Sequence, residues 1–192
     1  MHSPFVYNIV AKGFYKSTDA RYNGENNAVA LGLNKNALQT LFKTIAYFKS
    51  YKLLTLGEET PEIMEIVQST AEKDGIRIWF YSPYAPIPGG FDLAYIPAKD
   101  PDTSIALLTR LRDDSNNNSV LAIGNIHTSA ENEAAWEAIK NDPNVTVSID
   151  TYHLGLVFFR QGQSKQHFII RPNKSFLTDT LLGIRNLWGL LS

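Results

Sequence analysis

The stretch LLTLGEETP, residues 53–61, passes directly from an apolar run into the start of a helix. Its first four residues predict a buried strand, and the glycine that follows suits a tight turn. Thr60 and Pro61 then form a typical beginning of a helix. Further along the chain, short apolar runs alternate with amphipathic helices in the same way, which is typical of a mainly parallel sheet covered by helices on both faces. The sequence therefore predicts an α/β protein with a doubly wound sheet.

Seven strands and three connecting helices are predicted along this part of the chain. The strands are expected at Leu53–Leu56, Ile76–Tyr81, Phe91–Ile96, Val120–Ile123, Val145–Ile149, Leu154–Arg160 and His167–Arg171. The helices are expected at Pro61–Lys73, Asp102–Leu111 and Glu131–Lys140. The turn Gln161–Ser164 lies between the last two strands and predicts that the sheet ends in an antiparallel hairpin.

The α/β core is expected over residues 51–172, with helices on either side. Residues 1–50 predict two helices, Pro4–Tyr15 and one capped by Asn34, joined by a polar loop. Residues 173–192 predict a C-terminal amphipathic helix. Because no repeat or linker divides the sequence, we expect a single domain over all 192 residues.

The composition excludes several classes of protein. The chain has no cysteine, which excludes disulfide scaffolds, thiolate metal sites and a cysteine nucleophile. Its 18 Lys and Arg nearly balance 19 Asp and Glu, so no general attraction to nucleic acid is expected. No secretory signal and no run of about 20 apolar residues is found. We therefore expect a cytoplasmic protein that neither spans a membrane nor binds nucleic acid.

The order of predicted elements resembles the class I S-adenosylmethionine-dependent methyltransferases, in which β/α alternation ends in an antiparallel hairpin. The opening HSPFVY, residues 2–7, and several segments within residues 126–171 are similar to small bacterial members of this group. These segments are mostly scaffold, so they identify relatives without indicating chemistry. The resemblance implies a methyltransferase-like fold for nearly the whole chain.

The cofactor motifs of that family are altered in this sequence. The resemblance implies an acidic residue at the end of the first strand and a glycine-rich turn after it, where this chain has Thr55, Gly57, Glu59 and Pro61. Only Gly57 is retained, and Pro61 has no N–H to donate. The family also has an acidic residue after the second strand, which binds the ribose, whereas residues 79–83 contain no carboxylate. We expect Glu58 and Glu59 to stabilise the beginning of the helix and not to bind a cofactor.

The substrate positions implied by the resemblance are altered as well. Asp92 is retained in the strand that follows, but the terminal acidic position of that strand is Pro97. After the next strand the family carries an Asp-Asp pair, where this chain has Gly124 and Asn125. Without carboxylates a hard divalent cation would be held weakly, so no metal site is predicted.

The fold is also predicted to be truncated between the second strand and Phe91. Only nine residues, Ser82–Gly90, stand where the family has a helix, an edge strand and another helix. With three prolines this segment should be stiff and extended. We expect it to cross the top of the sheet, with Tyr84 or Pro86 where the adenine of a cofactor would lie.

These observations favour a non-catalytic relative of the methyltransferases that acts by binding or assembly and needs no cofactor. The alternative is an active enzyme with an atypical site, for which the resemblance implies a role for S-adenosylmethionine. Its cofactor-binding residues would be Thr55, Gly57, Glu59, Ser82 and Asn125, and its cleft would contain Tyr84, Asp92 and His127. A third possibility is another small ligand held by Tyr81, Tyr84 and Asn125. No catalytic residue is assigned, and His127 is the one candidate general base.

Two further features have alternative interpretations. His127, Asp150 and His153 could form a metal site or a His–Asp pair, but we expect His127 and Asp150 near opposite ends of differently oriented strands, so a structural role is predicted. The apolar face predicted over residues 176–191 could pack on the chain's own sheet. It could instead form a homodimer or bind a protein partner.

Overall fold

The computed structural model describes residues 3–15, 34–56, 60–73, 75, 77–82, 85–97 and 101–172 of the chain. Within these ranges, a seven-stranded sheet lies between two layers of helices. Four predictions concern residues outside them: the loop 16–32, the turn 57–59, the position of Tyr84 and the helix over 176–191.

The helices begin close to where the sequence predicts them. The structure has α1 over Pro4–Asn8, α2 over Lys35–Phe48, α3 over Thr60–Lys73, α4 over Pro101–Asp113 and α5 over Ala130–Asn141. Asn34 and Ser129 cap α2 and α5, because their side-chain oxygens accept hydrogen bonds from backbone N–H groups of the first turn. After α1 the chain continues as a π-helix over Ile9–Phe14, so the predicted helix has the expected extent but changes type.

The seven strands form one mixed sheet. They are β1 over Lys52–Thr55, β2 over Trp79–Phe80, β3 over Leu93–Ile96, β4 over Val120–Gly124, β5 over Val147–Asp150, β6 over Leu154–Phe158 and β7 over Gln166–Ile169. Their order is β2-β1-β3-β4-β6-β5-β7, and β6 is antiparallel to both of its neighbours. This arrangement is typical of the methyltransferase fold, which confirms the predicted fold class.

The antiparallel hairpin is present, but its location differs from the prediction. It is formed by β5 and β6, which are joined by the short turn Thr151–His153. β7 pairs parallel with β5, so Gln161–Ser164 is not a hairpin turn. β6 already pairs with β4 on one side and β5 on the other. The chain therefore crosses β5 and forms β7 on the far side of β5.

The connection between β2 and β3 is short, as predicted. In its described residues it contains neither a helix nor a strand. Ile87 is buried, and the carbonyl of Pro88 accepts a hydrogen bond from Nζ of Lys52, at the beginning of β1, over 2.5 Å. Residues 87–90 therefore lie near the amino ends of the strands, where β3 begins, and the predicted crossing by residues 83–84 lies outside the described residues. Pro86 is exposed.

Each face of the sheet has its own apolar layer. One cluster joins residues of α1, α2 and α3 to side chains of the sheet such as Leu53 and Ile149. The other joins α4, α5 and Ile87 to side chains such as Leu54 and Leu121. Adjacent residues of one strand thus face opposite layers, as the pleat of a sheet requires. The pairing directions place the carboxyl ends of every strand except β6 at the same end of the sheet.

Candidate functional site

The candidate site lies at the edge of the sheet where the parallel strands end. In open α/β sheets, ligands bind in the crevice outside the carboxyl ends of the strands. β4 and β5 are both antiparallel to β6, so they run parallel to each other. The residues that follow β4 and the residues that end β5 therefore meet at this edge.

His127 and Asp150 form a close pair at this edge. Nε2 of His127 lies 2.8 Å from Oδ2 of Asp150. The same oxygen accepts a hydrogen bond from Nε1 of Trp136 over 3.1 Å, and Oδ1 of Asp150 accepts one from the backbone N–H of Tyr152 over 2.7 Å. The prediction that His127 and Asp150 do not converge is wrong, because it took β4 and β5 to run in different directions.

Glu133 and Tyr152 complete the surroundings of His127. Nδ1 of His127 lies 3.4 Å from a carboxylate oxygen of Glu133. The ring of Tyr152 stacks on the imidazole, with centroids 5.4 Å apart and planes inclined by 24°. Below, the His127 cluster denotes His127, Glu133, Trp136, Asp150 and Tyr152. Its two carboxylates face both nitrogens of one ring, so both nitrogens can donate only when that ring is protonated.

His153 borders the His127 cluster on the turn between β5 and β6. Its ring meets the ring of Tyr152 edge to face, with centroids 4.9 Å apart. Burial, and to a smaller extent the charge of nearby His127, lower the pKa of His153 below its ordinary value. His153 therefore favours the neutral form at this edge.

Asn125 connects the ends of two strands. Its backbone is in the left-handed region, with φ at 56°, and its side-chain Nδ2 donates to the carbonyl of Pro97 over 3.1 Å. Its own carbonyl accepts hydrogen bonds from Thr128 and from the side chain of Asn132. Asn125 thus ties the residue after β3 to the beginning of α5.

Gly124 has no room for a side chain. A Cβ atom built on it would lie 2.7 Å from Oη of Tyr95, whose ring is buried in β3. Real Cβ atoms essentially never approach another heavy atom so closely. An acidic residue, which the family resemblance implies near this position, would therefore require Tyr95 to move.

The remaining candidate cofactor residues are placed only in part. Thr55 is buried at the end of β1, and Ser82 is exposed shortly after β2. Because β1 and β2 are parallel, both residues lie at the same edge as Asn125. Gly57, Glu59 and Tyr84 lie outside the described residues, so their roles stay predictions.

Asp92 does not belong to this edge. Its Oδ2 accepts hydrogen bonds from the backbone N–H groups of Tyr51 and Lys52, over 2.8 and 2.9 Å. Both acceptor and donors lie where β1 and β3 begin, at the opposite edge of the sheet. The structure therefore contradicts its prediction as a cleft residue, and Asp92 joins two strands instead.

Glu133, Trp136 and Tyr152 were not predicted to take part in a site. Glu133 and Trp136 are three positions apart on α5, so they share a face of that helix. This spacing, together with an aspartate at the end of a strand, is the sequence signal that could have indicated the His127 cluster. It becomes informative only once the strand order is known.

In the described part of the chain, no group of three or more His, Asp or Glu side chains could hold a metal ion. Among the same residues, no helix has the length and apolar character needed to cross a membrane.

No family model and no curated protein matches the chain. A protein from Klebsiella pneumoniae proposed to be an O-methyltransferase is 14% identical, with a TM-score of 0.48, over 81% of this chain and 95% of that one. Cofactor-bound Rv0187 from MTB is 14% identical, with a TM-score of 0.46, over 82% of this chain and 96% of that one. The O-methyltransferase NcsB1 from neocarzinostatin biosynthesis is 13% identical, with a TM-score of 0.40, over 79% of this chain and 53% of that one. This chain has a methyltransferase-like fold, as the strand order of its sheet shows.

Proposed function

We propose that this chain is a non-catalytic protein with a methyltransferase-like fold, which acts by binding or assembly and not by methyl transfer. The observation that carries this proposal is the use of polar groups at the ends of β3 and β4 for internal contacts. The amide of Asn125 donates to Pro97, and Oη of Tyr95 fills the space beside Gly124. These groups support the fold where an enzyme of this family would present groups to its ligands.

The chemistry of S-adenosylmethionine supports the same conclusion. The cofactor presents a ribose diol and an ammonium group, which carboxylates recognise well because charge-assisted hydrogen bonds are worth about 1.5–3 kcal/mol each. The buried residue at the end of β1 is Thr55, a neutral hydroxyl, and the described residues after β2 include no carboxylate. The described donor set does not fit the cofactor, so we infer affinity weaker by orders of magnitude than an enzyme requires.

The surroundings of His127 also argue against a role as general base. A base must reach the proton that it removes. Here Nε2 is held by Asp150, and Nδ1 faces Glu133. The imidazole thus joins the segment after β4 to β5 and α5, which is a structural role.

The experiment is a thermal-shift and calorimetric titration of the full chain with S-adenosylmethionine and S-adenosylhomocysteine. A ligand at 100 times its Kd stabilises the folded state by about 2.7 kcal/mol, which raises Tm by about 5–10 °C in a domain of this size. We expect no saturable shift with either compound at about 1 mM. Free adenosine and methionine serve as matched controls for weak binding of either half.

A saturable shift with both compounds would contradict the proposal and favour the alternative, an active methyltransferase with an atypical site. That alternative also requires the signal to decrease in Asn125→Ala, since Asn125 would contact the cofactor. For assembly, we propose the 176–191 segment as the contact, either with a second copy or with another protein. Light scattering of the full chain and of a chain truncated after Lys174 tests this contact, because loss of a dimer on truncation is expected.

A further inference from the structure

Tyr152 is an aromatic residue held in an uncommon backbone conformation. Among the described residues other than glycine, Lys49, Asn125 and Tyr152 have a positive φ, and Lys49 ends a helix. Tyr152 has φ at 72°, which costs a bulky L-residue about 1–2 kcal/mol. Its backbone N–H donates to Asp150, so the buried carboxylate fixes this turn. Strain of this kind persists only where surrounding structure maintains it, and it is concentrated at functional sites.

The conformation of Tyr152 directs its ring outward. The side chain is 66% exposed, although its ring stacks on His127 and meets His153 edge to face. The two imidazoles hold the ring in place from the side of the protein. A ring that is supported in this way and largely exposed presents a preorganised flat surface for stacking.

The charge around this ring is negative. The exposed fraction of Asp150 is only 7%, and its one ion pair among the described residues is with His127. The side chain of Glu133 is 58% exposed beside the same imidazole. No Lys or Arg of the described residues forms an ion pair with either carboxylate. The His127 cluster therefore holds two carboxylates around a single imidazole, and this excess of acidic groups attracts cations.

An exposed aliphatic residue lies on the strand next to Asp150. Ile169 of β7 is the register partner of Asp150 in β5, and it is 89% exposed. Register partners in neighbouring strands point to the same face of a sheet. Ile169 thus adds apolar surface on the side of β5 that carries Asp150.

We propose that Tyr152, Glu133 and Asp150 form a binding site for a planar organic cation, such as an alkylated nitrogen heterocycle. The ring of the ligand stacks on Tyr152 and contacts Ile169, while its charge interacts with the aromatic face and with the two carboxylates. A neutral ring could stack on Tyr152 but carries no charge for the carboxylates. An aliphatic amine carries the charge but has no ring to stack. The site follows β4 and β5, away from β1 and β2, so this inference holds whether or not the chain binds S-adenosylmethionine.

The test is an NMR titration of the full chain with 1-methylpyridinium and with pyridine at about pH 8, where pyridine is neutral. The two rings have nearly the same size, so they differ mainly in charge. We expect saturable shifts of the Tyr152 and Ile169 signals with 1-methylpyridinium and at least about tenfold weaker binding of pyridine. Affinity should decrease as salt is raised, because salt screens exposed charges. Absence of saturation by 1-methylpyridinium, or equal affinity for the two rings, would overturn the proposal.

Variants distinguish the site from an effect on folding. Tyr152→Gly removes the ring and relieves the positive φ, so the chain should fold with undiminished stability and lose binding. Tyr152→Phe keeps the aromatic face and should bind within about threefold of the original chain. Glu133→Gln should weaken binding of 1-methylpyridinium about threefold or more and leave pyridine unaffected. Unchanged affinity in Tyr152→Gly would contradict the proposed site.

A further control separates this site from the cofactor question. S-adenosylmethionine also carries a positive charge and a ring, so it could occupy the Tyr152 surface weakly. Its titration is therefore repeated with Tyr152→Gly. Binding that persists in this variant contradicts the proposed function and leaves the present inference intact, whereas binding that disappears supports the Tyr152 site.

Discussion

The imidazole of His127 and the carboxylate of Asp150 meet at 2.8 Å, although the two residues are 23 positions apart in the chain. The carboxylate also accepts hydrogen bonds from Trp136 and from the backbone of Tyr152. One buried side chain thus connects the segment after β4, the helix α5 and the turn after β5. The geometry of this edge of the sheet depends on Asp150.

We expect Asp150→Ala to destabilise the chain by about 3–5 kcal/mol, because three donors lose their shared acceptor inside the protein. His127→Ala should cost less, about 1–2 kcal/mol, since Trp136 and Tyr152 keep their partner. Urea unfolding followed by circular dichroism measures both values. Glu137→Gln is the control, because it removes only an exposed ion pair with Lys140 on α5 and should cost less than about 1 kcal/mol. A cost below about 1 kcal/mol for Asp150→Ala would show that the carboxylate does not organise this edge.

The contact between Gly124 and Tyr95 gives a second prediction. Gly124→Ala places a methyl carbon 2.7 Å from Oη of Tyr95, closer than the two atoms can approach, so we expect a loss of about 1–3 kcal/mol. Tyr95→Phe removes that oxygen, and the ring carbon that remains is 3.5 Å from the Cβ position, which is an ordinary contact. In a double-mutant cycle, Gly124→Ala should therefore cost at least about 1 kcal/mol less when it is combined with Tyr95→Phe. Strictly additive effects would mean that another contact limits the space at Gly124.

The fold could be predicted from the sequence where strands are buried on both sides. β4 lies at the centre of the sheet, and its predicted bounds differ from the observed ones by a single residue. β2 is an edge strand, and among the described residues of the predicted strand Ile76–Tyr81, Trp79 and Phe80 are the register partners of β1. An edge strand has one partner, so fewer ladder contacts define its ends, and the N–H of Tyr81 still donates to the carbonyl of Leu53 just beyond the strand.

The candidate site was harder to predict because it depends on long-range pairing. Whether His127 meets Asp150 is decided by the position of β6 between β4 and β5, which no local pattern specifies. The prediction of a hairpin at Gln161–Ser164 is wrong for the same reason. A turn indicates that the chain reverses, but it does not indicate which strands then pair. The family resemblance indicated that Asp92 could be a cleft residue, whereas its two backbone partners place it at the amino ends of β1 and β3.

The role of Asp92 gives a third prediction, which concerns stability alone. Asp92→Ala leaves the N–H groups of Tyr51 and Lys52 without their acceptor, and we expect a loss of about 1–2 kcal/mol. Asp92→Asn keeps an oxygen that can accept both bonds, so its cost should be less than half as large. Urea unfolding measures the stability of both variants. Their affinity for 1-methylpyridinium should equal that of the original chain, and a change in that affinity would place Asp92 in communication with the opposite edge.

The pKa of His153 gives a pH dependence whose sign is defined. Burial, followed by the charge of His127, lowers the pKa of His153 below 6.5 in the folded state. As the pH falls below 6.5, the unfolded chain takes up this proton before the folded chain does, so stability is lost until the lowered pKa is reached. Well above 6.5, His153 is neutral in both states and makes no pH-dependent contribution to stability.

We therefore expect His153→Gln to lose less stability than the original chain between about pH 6.5 and pH 5, by at most about 1.4 kcal/mol per pH unit. Urea unfolding at intervals over this range, with a reference at about pH 8, measures the difference. His167 is a matched control, because burial lowers its pKa as well, and it lies on β7 with its Nδ1 2.7 Å from Ser148 Oγ. His167→Gln should remove a separate part of the acid slope, and the double variant should remove both parts. If His153→Gln and the original chain give parallel curves down to about pH 5, the pKa of His153 is not lowered in the folded state.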